Sequence, residues 1–139
     1  MCGFAGFLDT RGERRTDEEA LRRMTNRLVH RGPDSSGYFV DQNVGLGFRR
    51  LSIIDLESGD QPIFNEDHSV VLMCNGEIYN YRELRQTLLD KGHTFRTSCD
   101  VEVLLHLYEE EGAGFLNRLN GQFAFVIFDR PRGRLLTRT

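Results

Sequence analysis

A chain of 139 residues is of single-domain length and long enough to bury a core. Its formal net charge of −3, with no Lys/Arg-rich block, argues against nucleic acid or an anionic membrane as the main partner. No run approaches the ~20 apolar residues of a membrane span, and the N-terminus lacks the basic start and apolar stretch of a signal peptide, so a cytoplasmic protein is expected.

In chain order, residues 2–8 read as a strand. Thr16-Asp17-Glu18-Glu19 reads as a capping box, with Thr16 at the N-cap and Glu19 three residues on. The helix it opens has Leu21, Met24 and Leu28 on one face. Arg31-Gly32-Pro33-Asp34 stops it, because Pro disfavours helical geometry in the residue before it. Residues 37–40 and 44–51 form a hairpin pattern around Asp41-Gln42-Asn43. Gly45 and Gly47 either weaken the second strand or mark a close backbone approach. Residues 55–69 read as loop and Val70 to Cys74 as a wholly apolar strand. Asn80 to Glu83 resembles a second capping box, opening a helix with Tyr81, Leu84 and Leu88 on one face and Gly92 past its end. A third helix starts near Asp100, carries Val101, Leu104, Leu105 and Tyr108 at helical spacing, and ends at Gly112. A helical turn over 115–119, an apolar strand over 122–128, a turn at 129–133 and a last strand over 134–138 complete the chain. Hairpin-linked strands are antiparallel, and strands apolar on both faces need cover on both sides. The expected class is therefore α+β, with layers in the order helix, sheet, sheet, helix.

The first residues carry the chemistry. Cys2 follows the initiator Met, and its side chain is small enough for Met1 to be trimmed. The exposed α-amine has a reference pKa of about 7.7–8.0, against about 10.4 for Lys, and can act as a general base at neutral pH. A thiol beside its own base is an activated nucleophile. Cys74 and Cys99 read as small buried fillers, and the sparse set of three cysteines suggests no disulfide framework. His30, His68, His93 and His106 show no metal-ligand spacing, so no metal site is expected, and none is specially placed to form a dyad with a cysteine.

Four other stretches stand out. His30-Arg31-Gly32-Pro33-Asp34 is a rigid charged loop, or simply a helix stop. Arg49-Arg50-Leu51-Ser52-Ile53-Ile54-Asp55 ends a strand with two guanidinium groups suited to a carboxylate. Asn75-Gly76-Glu77-Ile78-Tyr79-Asn80 is either a tight turn or a side-chain amide beside a Gly N–H, the two donors of an oxyanion hole. Asp100, after Ser98-Cys99, is either a helix N-cap or an acceptor for an ammonium group.

These stretches, in this order and at this spacing, resemble the class II glutamine amidotransferases over essentially the whole chain. The pentad at His30 and the hexad at Asn75 are most similar to the glutaminase domain of glutamine-hydrolysing asparagine synthetases. The resemblance implies the N-terminal-nucleophile (Ntn) hydrolase fold, a four-layer α/β/β/α sandwich, with residues 1–139 forming one glutaminase domain truncated at its C-terminal end. It implies hydrolysis of L-glutamine to glutamate and ammonia through a Cys2 thioester. Cys2, Asn75 and Gly76 are then the catalytic groups. Arg50 holds the α-carboxylate, Asp100 holds the α-ammonium, and Glu77 with the backbone of Arg50, Leu51, Ser52, Ile53 and Ile54 completes the pocket. No cofactor is expected in this domain, since ATP and Mg²⁺ belong to a synthetase domain or subunit that takes the ammonia for asparagine biosynthesis. An unpaired sheet edge left by truncation suggests pairing with a second copy or a partner. A non-catalytic glutamine-binding or interaction module, and an amidotransferase with another acceptor, remain the alternatives.

Overall fold

The structure is a computed structural model that describes residues 2–13, 15–52 and 59–139. The chain, of single-domain length, gathers into two compact units, Met1–Ile53 with Asp60–Pro62, and Ile54–Gly59 with Ile63–Thr139.

In the first unit, strand β1 (Gly3–Leu8), helix α1 (Glu18–Asn26) and strands β2 (Ser35–Val40) and β3 (Val44–Arg50) form an antiparallel sheet backed by one helix, in the strand order β1-β3-β2. Gly3 lies opposite Arg49 and Ser35 opposite Arg50. The start of β1, the start of β2 and the end of β3 therefore share one rim of the sheet. β3 is the central strand because Val44 to Phe48 are buried on both faces. Helix α1 reaches it through Leu21 and Thr25, which are 1% and 0% exposed. That approach requires the glycines of β3: a Cβ on Gly47 would sit 1.9 Å from Thr25 Oγ1, and one on Gly45 would meet Thr16 and Leu21. Close approach is thus the reason for the two glycines.

Two expectations for α1 are corrected. The N-cap is Asp17, whose carboxylate accepts Ala20 N–H at 2.9 Å. Thr16 instead donates its hydroxyl to Asp41 O at 2.7 Å and Val44 O at 2.9 Å, so the β2–β3 turn outcompetes the helix end for it. Met24 is 40% exposed and Thr25 takes its place on the buried face, because only a small side chain fits against β3.

In the second unit, strands β4 (Ile63–Phe64), β5 (Val70–Ile78), β6 (Gly121–Asp129) and β7 (Arg134–Arg138) form an antiparallel sheet in the order β4-β5-β6-β7. Helices α2 (Tyr81–Asp90) and α3 (Val103–Glu111) cover it, with 3₁₀ turns at Asp100–Glu102 and Gly112–Arg118. Leu72, Cys74, Phe125 and Ile127 meet Leu84, Leu88, Leu104 and Phe115 in one core. The short strand β4 lies where loop was expected, and β5 runs four residues beyond Cys74 because β6 pairs with it as far as Ile78 opposite Gly121. Helix α2 has Asn80 at its N-cap but no side-chain cap bond there. Asn80 donates to Arg118 O at 2.9 Å and accepts Asn120 N–H at 3.0 Å, pinning the entry to β6. At the other end Gly92, at φ +96°, allows Gly92 N–H to reach Leu89 O and His93 N–H to reach Leu88 O, the paired bonds of a Schellman turn. Burial on helix α3 extends beyond the apolar residues at helical spacing. Every residue from Val103 to Tyr108 is buried, including His106. Among the described residues no helix is long and apolar enough to cross a membrane.

The α+β class expected from the sequence is the class observed: two antiparallel sheets, each carrying its own helices.

Candidate active site

The rim shared by β1, β2 and β3 holds Cys2. Its Sγ accepts Leu51 N–H at 3.4 Å and lies 3.6 Å from Leu51 O. Its carbonyl accepts Arg31 Nε–H at 3.2 Å. Backbone and thiol of the half-buried Cys2 are thus both anchored, so the terminal strand does not fray and the sulfur keeps one direction. The loop from His30 to Asp34 supplies the frame. Arg49 Nε donates to Gly32 O at 2.8 Å, Asp34 N–H donates to Arg50 O at 3.0 Å, and Asp34 Oδ2 accepts Ser52 N–H at 2.7 Å. The loop therefore does more than stop α1: it holds the segment Arg50-Leu51-Ser52 against Cys2.

Arg50 is buried, and its guanidinium donates to Asp60 Oδ1 at 3.0 Å. Asp60 also accepts the Ser35 hydroxyl at 3.1 Å, while its own side chain is 72% exposed. Ile53 and Ile54 lie outside the described residues, as does Met1, whose removal would free the α-amine.

The second unit holds the other expected groups. Asn75, Gly76 and Glu77 lie within β5, opposite Ala124, Phe123 and Gln122. This excludes the tight-turn reading of Asn75-Gly76. Along an antiparallel strand the N–H groups of successive residues point to opposite edges, and those two apart to the same edge. Tyr79 N–H donates to Asn120 O at 2.7 Å, on the β6 side, and Ile78 N–H donates to Asp100 Oδ2 at 2.6 Å, on the other. Gly76, two residues before Ile78, thus directs its N–H away from β6. The short β4 pairs only with Leu72 and Val71, so it stops short of this part of β5. Asn75 and Gly76 are half-buried and Glu77 is exposed.

Asp100 is not a helix cap. The cap residue of its 3₁₀ turn is Cys99, and the Asp100 carboxylate ties the turn to the end of β5. The structure thus brings Asp100 to the strand that carries Asn75-Gly76-Glu77. Glu102, to which the sequence reading gave no role, holds this turn in place. It is fully buried and accepts Arg96 N–H at 2.8 Å, Thr97 N–H at 2.8 Å and the Thr97 hydroxyl at 2.5 Å. Burial alone would raise the pKa of Glu102, but the neighbouring His106 and hydrogen bonds from Thr97 and Arg96 hold it below the usual carboxylate value. Burial would lower His106, yet Glu102, Glu109 and Glu66 push it up to about 9. No sequence signal marks this pair, because a Glu and a His four apart on a helix are usually solvated.

The family model of the glutamine amidotransferase domain matches residues 1–138. Glutamine-hydrolyzing asparagine synthetase 1 of Bacillus subtilis (strain 168) is 49% identical over 132 residues, 94% of this chain and 21% of that protein. The second such synthetase of the same organism is 44% identical over 97% of this chain and 18% of its own length. The synthetase of Sandersonia aurantiaca is 46% identical over 93% of this chain and 24% of its own. The chain thus spans about a fifth of the length of the curated relatives it matches. Among solved structures, the glutamine phosphoribosylpyrophosphate amidotransferase of B. subtilis matches 66% of this chain and 22% of its own, with 29% identity and a TM-score of 0.53. An allosteric regulatory enzyme of purine biosynthesis matches with the same identity and coverage and a TM-score of 0.55. These neighbours accord with the Ntn class of fold.

Proposed function

The chain belongs to the glutamine amidotransferase domain family, and from that premise we propose that it hydrolyses the side-chain amide of L-glutamine with Cys2 as nucleophile. The observation that carries the proposal is the Leu51 N–H donated to Cys2 Sγ, with Arg31 anchoring the Cys2 carbonyl. A terminal thiol held this way is fixed for attack.

In the proposed mechanism Met1 is removed, and the Cys2 α-amine takes the thiol proton directly or through a water. The sulfur attacks the amide carbon. The Asn75 side chain and the Gly76 N–H, which β5 turns away from β6, stabilise the oxyanion, each typically worth about 3–4 kcal/mol of barrier. The amine returns the proton to the departing ammonia, leaving a thioester that water cleaves to glutamate. Arg50 holds the substrate carboxylate in exchange for Asp60, and Asp100 Oδ1 holds the ammonium while Oδ2 keeps Ile78 N–H. Glu77 and the backbone from Arg50 to Ile54 complete the pocket. A pocket that pairs both α-groups favours free glutamine over a glutamine within a peptide.

No cofactor takes part in these steps. The ammonia goes to an ATP-dependent synthetase domain or subunit that amidates aspartate, as the names of the synthetase relatives suggest. A reducing cytoplasm suits a mechanism that needs a free thiol. The test combines intact mass with glutamate release, comparing wild type with Cys2→Ala. Loss of Met1 and Cys2-dependent glutamate are expected. Processed protein without turnover, in this chain and in a longer one, would refute the hydrolase reading and leave a binding module.

A further inference from the structure

The second unit contains a group of side chains that glutamine hydrolysis does not use. Glu66 in the β4–β5 turn, His93 after α2, and His106 and Glu109 on α3 each offer one atom to a common point, all within 4.8 Å of one another. Each is placed by its own local structure. His93 is the residue after Gly92 in the Schellman turn, fixed by its N–H to Leu88 O. His106 and Glu109 are neighbours three apart on the buried helix. The turn bearing Glu66 is held by Asn65, whose side chain accepts Val70 N–H at 2.9 Å, and by Arg96, which donates to Glu66 O at 3.1 Å.

The geometry points to a site for one divalent transition cation of the Zn²⁺ type, ligated by His93 Nδ1, His106 Nδ1, Glu66 and Glu109 Oε2. A tetrahedral Zn²⁺ with bonds of about 2.0–2.1 Å places its ligand atoms about 3.3–3.4 Å apart. All six separations lie within 4.8 Å, and four contacts, those to Glu66 being to its two different oxygens, lie within about half an ångström of that value. His106 Nδ1 to Glu109 Oε2 is 2.9 Å, His93 Nδ1 to Glu66 Oε1 is 3.5 Å, and His106 Nδ1 to Glu66 Oε2 and His93 Nδ1 to Glu109 Oε2 are both 3.7 Å. Two neutral imidazoles and two carboxylates balance the charge of such a cation.

The surrounding groups fit as well as the ligands. A metal-bound histidine normally presents its other nitrogen to a carboxylate, which fixes the tautomer. His93 does so, its Nε2 lying 3.1 Å from Glu110 Oε1, and His106 Nε2 faces the fully buried Glu102 at 3.7 Å. The His106 Nε2 contact is too long for a hydrogen bond, so this nitrogen is buried without a bonded partner, and a small tilt of the ring towards Glu102 would supply one. Lys91 neutralises Glu110 on its far side. Asn65 Nδ2 donates to Glu109 Oε1 at 2.7 Å, and Thr94 N–H donates to Glu66 Oε1 at 3.0 Å, orienting both carboxylates. The edge of the Phe95 ring shields His106. Glu66 is 41% exposed while His106 is 1% exposed, so a cation has an entry from the turn and a dry floor. A cation here would tie the β4–β5 turn, the end of α2 and α3 together, next to the 3₁₀ turn that presents Asp100.

The full chain, stripped with chelator, is titrated with Zn²⁺ by calorimetry and with Co²⁺ by visible spectroscopy. The expected result is one equivalent bound, with the intense ligand-field bands of tetrahedral Co²⁺ and no sulfur charge-transfer band. Glu109→Gln and His93→Asn should weaken binding at least 100-fold. Glu110→Gln, which removes only the carboxylate behind His93, should weaken it about 10–100-fold. His30→Gln, distant in sequence and exposed, should bind as wild type. Circular dichroism identifies any variant that fails to fold, and Glu110→Gln, at a partly exposed position, keeps the test open if the ligand variants do. Failure of the wild-type chain to bind one equivalent of Zn²⁺ overturns the site, as does binding that survives Glu109→Gln in folded protein. A sulfur charge-transfer band that disappears in Cys2→Ser would assign the cation to the thiol and overturn it equally.

Discussion

The contact between α1 and β3 lends itself to a quantitative test through Gly47→Ala. The added Cβ would lie 1.9 Å from Thr25 Oγ1, 3.1 Å from Thr25 Cβ and 3.2 Å from Thr25 Cγ2. Overpacking of a tight core costs about 1–3 kcal/mol, and a contact this short belongs at the upper end, about 3 kcal/mol. Replacing Gly also restricts the unfolded chain, which returns about 0.4–1 kcal/mol, so a net loss of about 2–2.5 kcal/mol is expected. Thr25→Ala alone removes a buried methyl and the hydroxyl bond to Leu21 O at 2.8 Å, but gains helix propensity, for a net cost of about 1 kcal/mol. In the double variant the remaining close contact is the Cβ at 3.1 Å, which a shift of a few tenths of an ångström relieves. Its total cost should be about 1–1.5 kcal/mol, a favourable coupling of about 2 kcal/mol. Urea denaturation of the four proteins, followed by circular dichroism, measures the cycle. Additive effects, with coupling below about 0.5 kcal/mol, would refute the claim that Gly47 exists to admit Thr25.

Arg31→Ala removes the donor to the Cys2 carbonyl and should lower kcat for glutamate release about tenfold with little change in KM; unchanged kcat would show that the strand alone positions the thiol. Asp100→Asn keeps an oxygen for Ile78 N–H but loses the charge for the ammonium, and should raise the KM for glutamine about 10–100-fold. A drop in kcat alone would argue against that role. The pH dependence of stability has a defined sign at Asp129, which is buried and contacts Tyr108 on α3 and Arg132 in the following turn, with Arg134 acting on Tyr108. Burial would raise its pKa, but bonds from Arg132 and Tyr108 carry it below the ordinary value of 3.8. Its contribution is therefore complete above pH 3.8 and declines as pH falls below that value. The stability gap between wild type and Asp129→Asn should narrow on acidification across that range, and a gap that widens would contradict the sign.

Much of the candidate site was legible because its chemistry is local. A cysteine after the initiator Met, a guanidinium pair ending a strand, and an amide beside a glycine each keep their meaning without a partner in view. The misreadings occurred where two acceptors or two faces compete. Thr16 and Asn80 both fit a helix cap by type and position, and each hydroxyl or amide goes instead to a loop that only the folded chain brings near. Asn75-Gly76 carries the local signal of a turn, but nine residues of pairing with β6 hold it extended. Met24 is as apolar as Leu21, and only the depth of the groove over Gly45 and Gly47 selects Thr25 for the interior.

By itself the sequence determined the α+β class, nearly every element and the family, because periodicity, turn residues and motif order are properties of neighbouring residues. Tertiary structure decided which polar groups meet. Arg31 reaches Cys2 across 29 positions, Asp100 reaches Ile78 across 22, and Glu66, His93, His106 and Glu109 converge from three separate elements. Such meetings depend on register, burial and chain reversal. A buried His106 is worth its desolvation only when partners such as Glu66, distant in sequence, are in place.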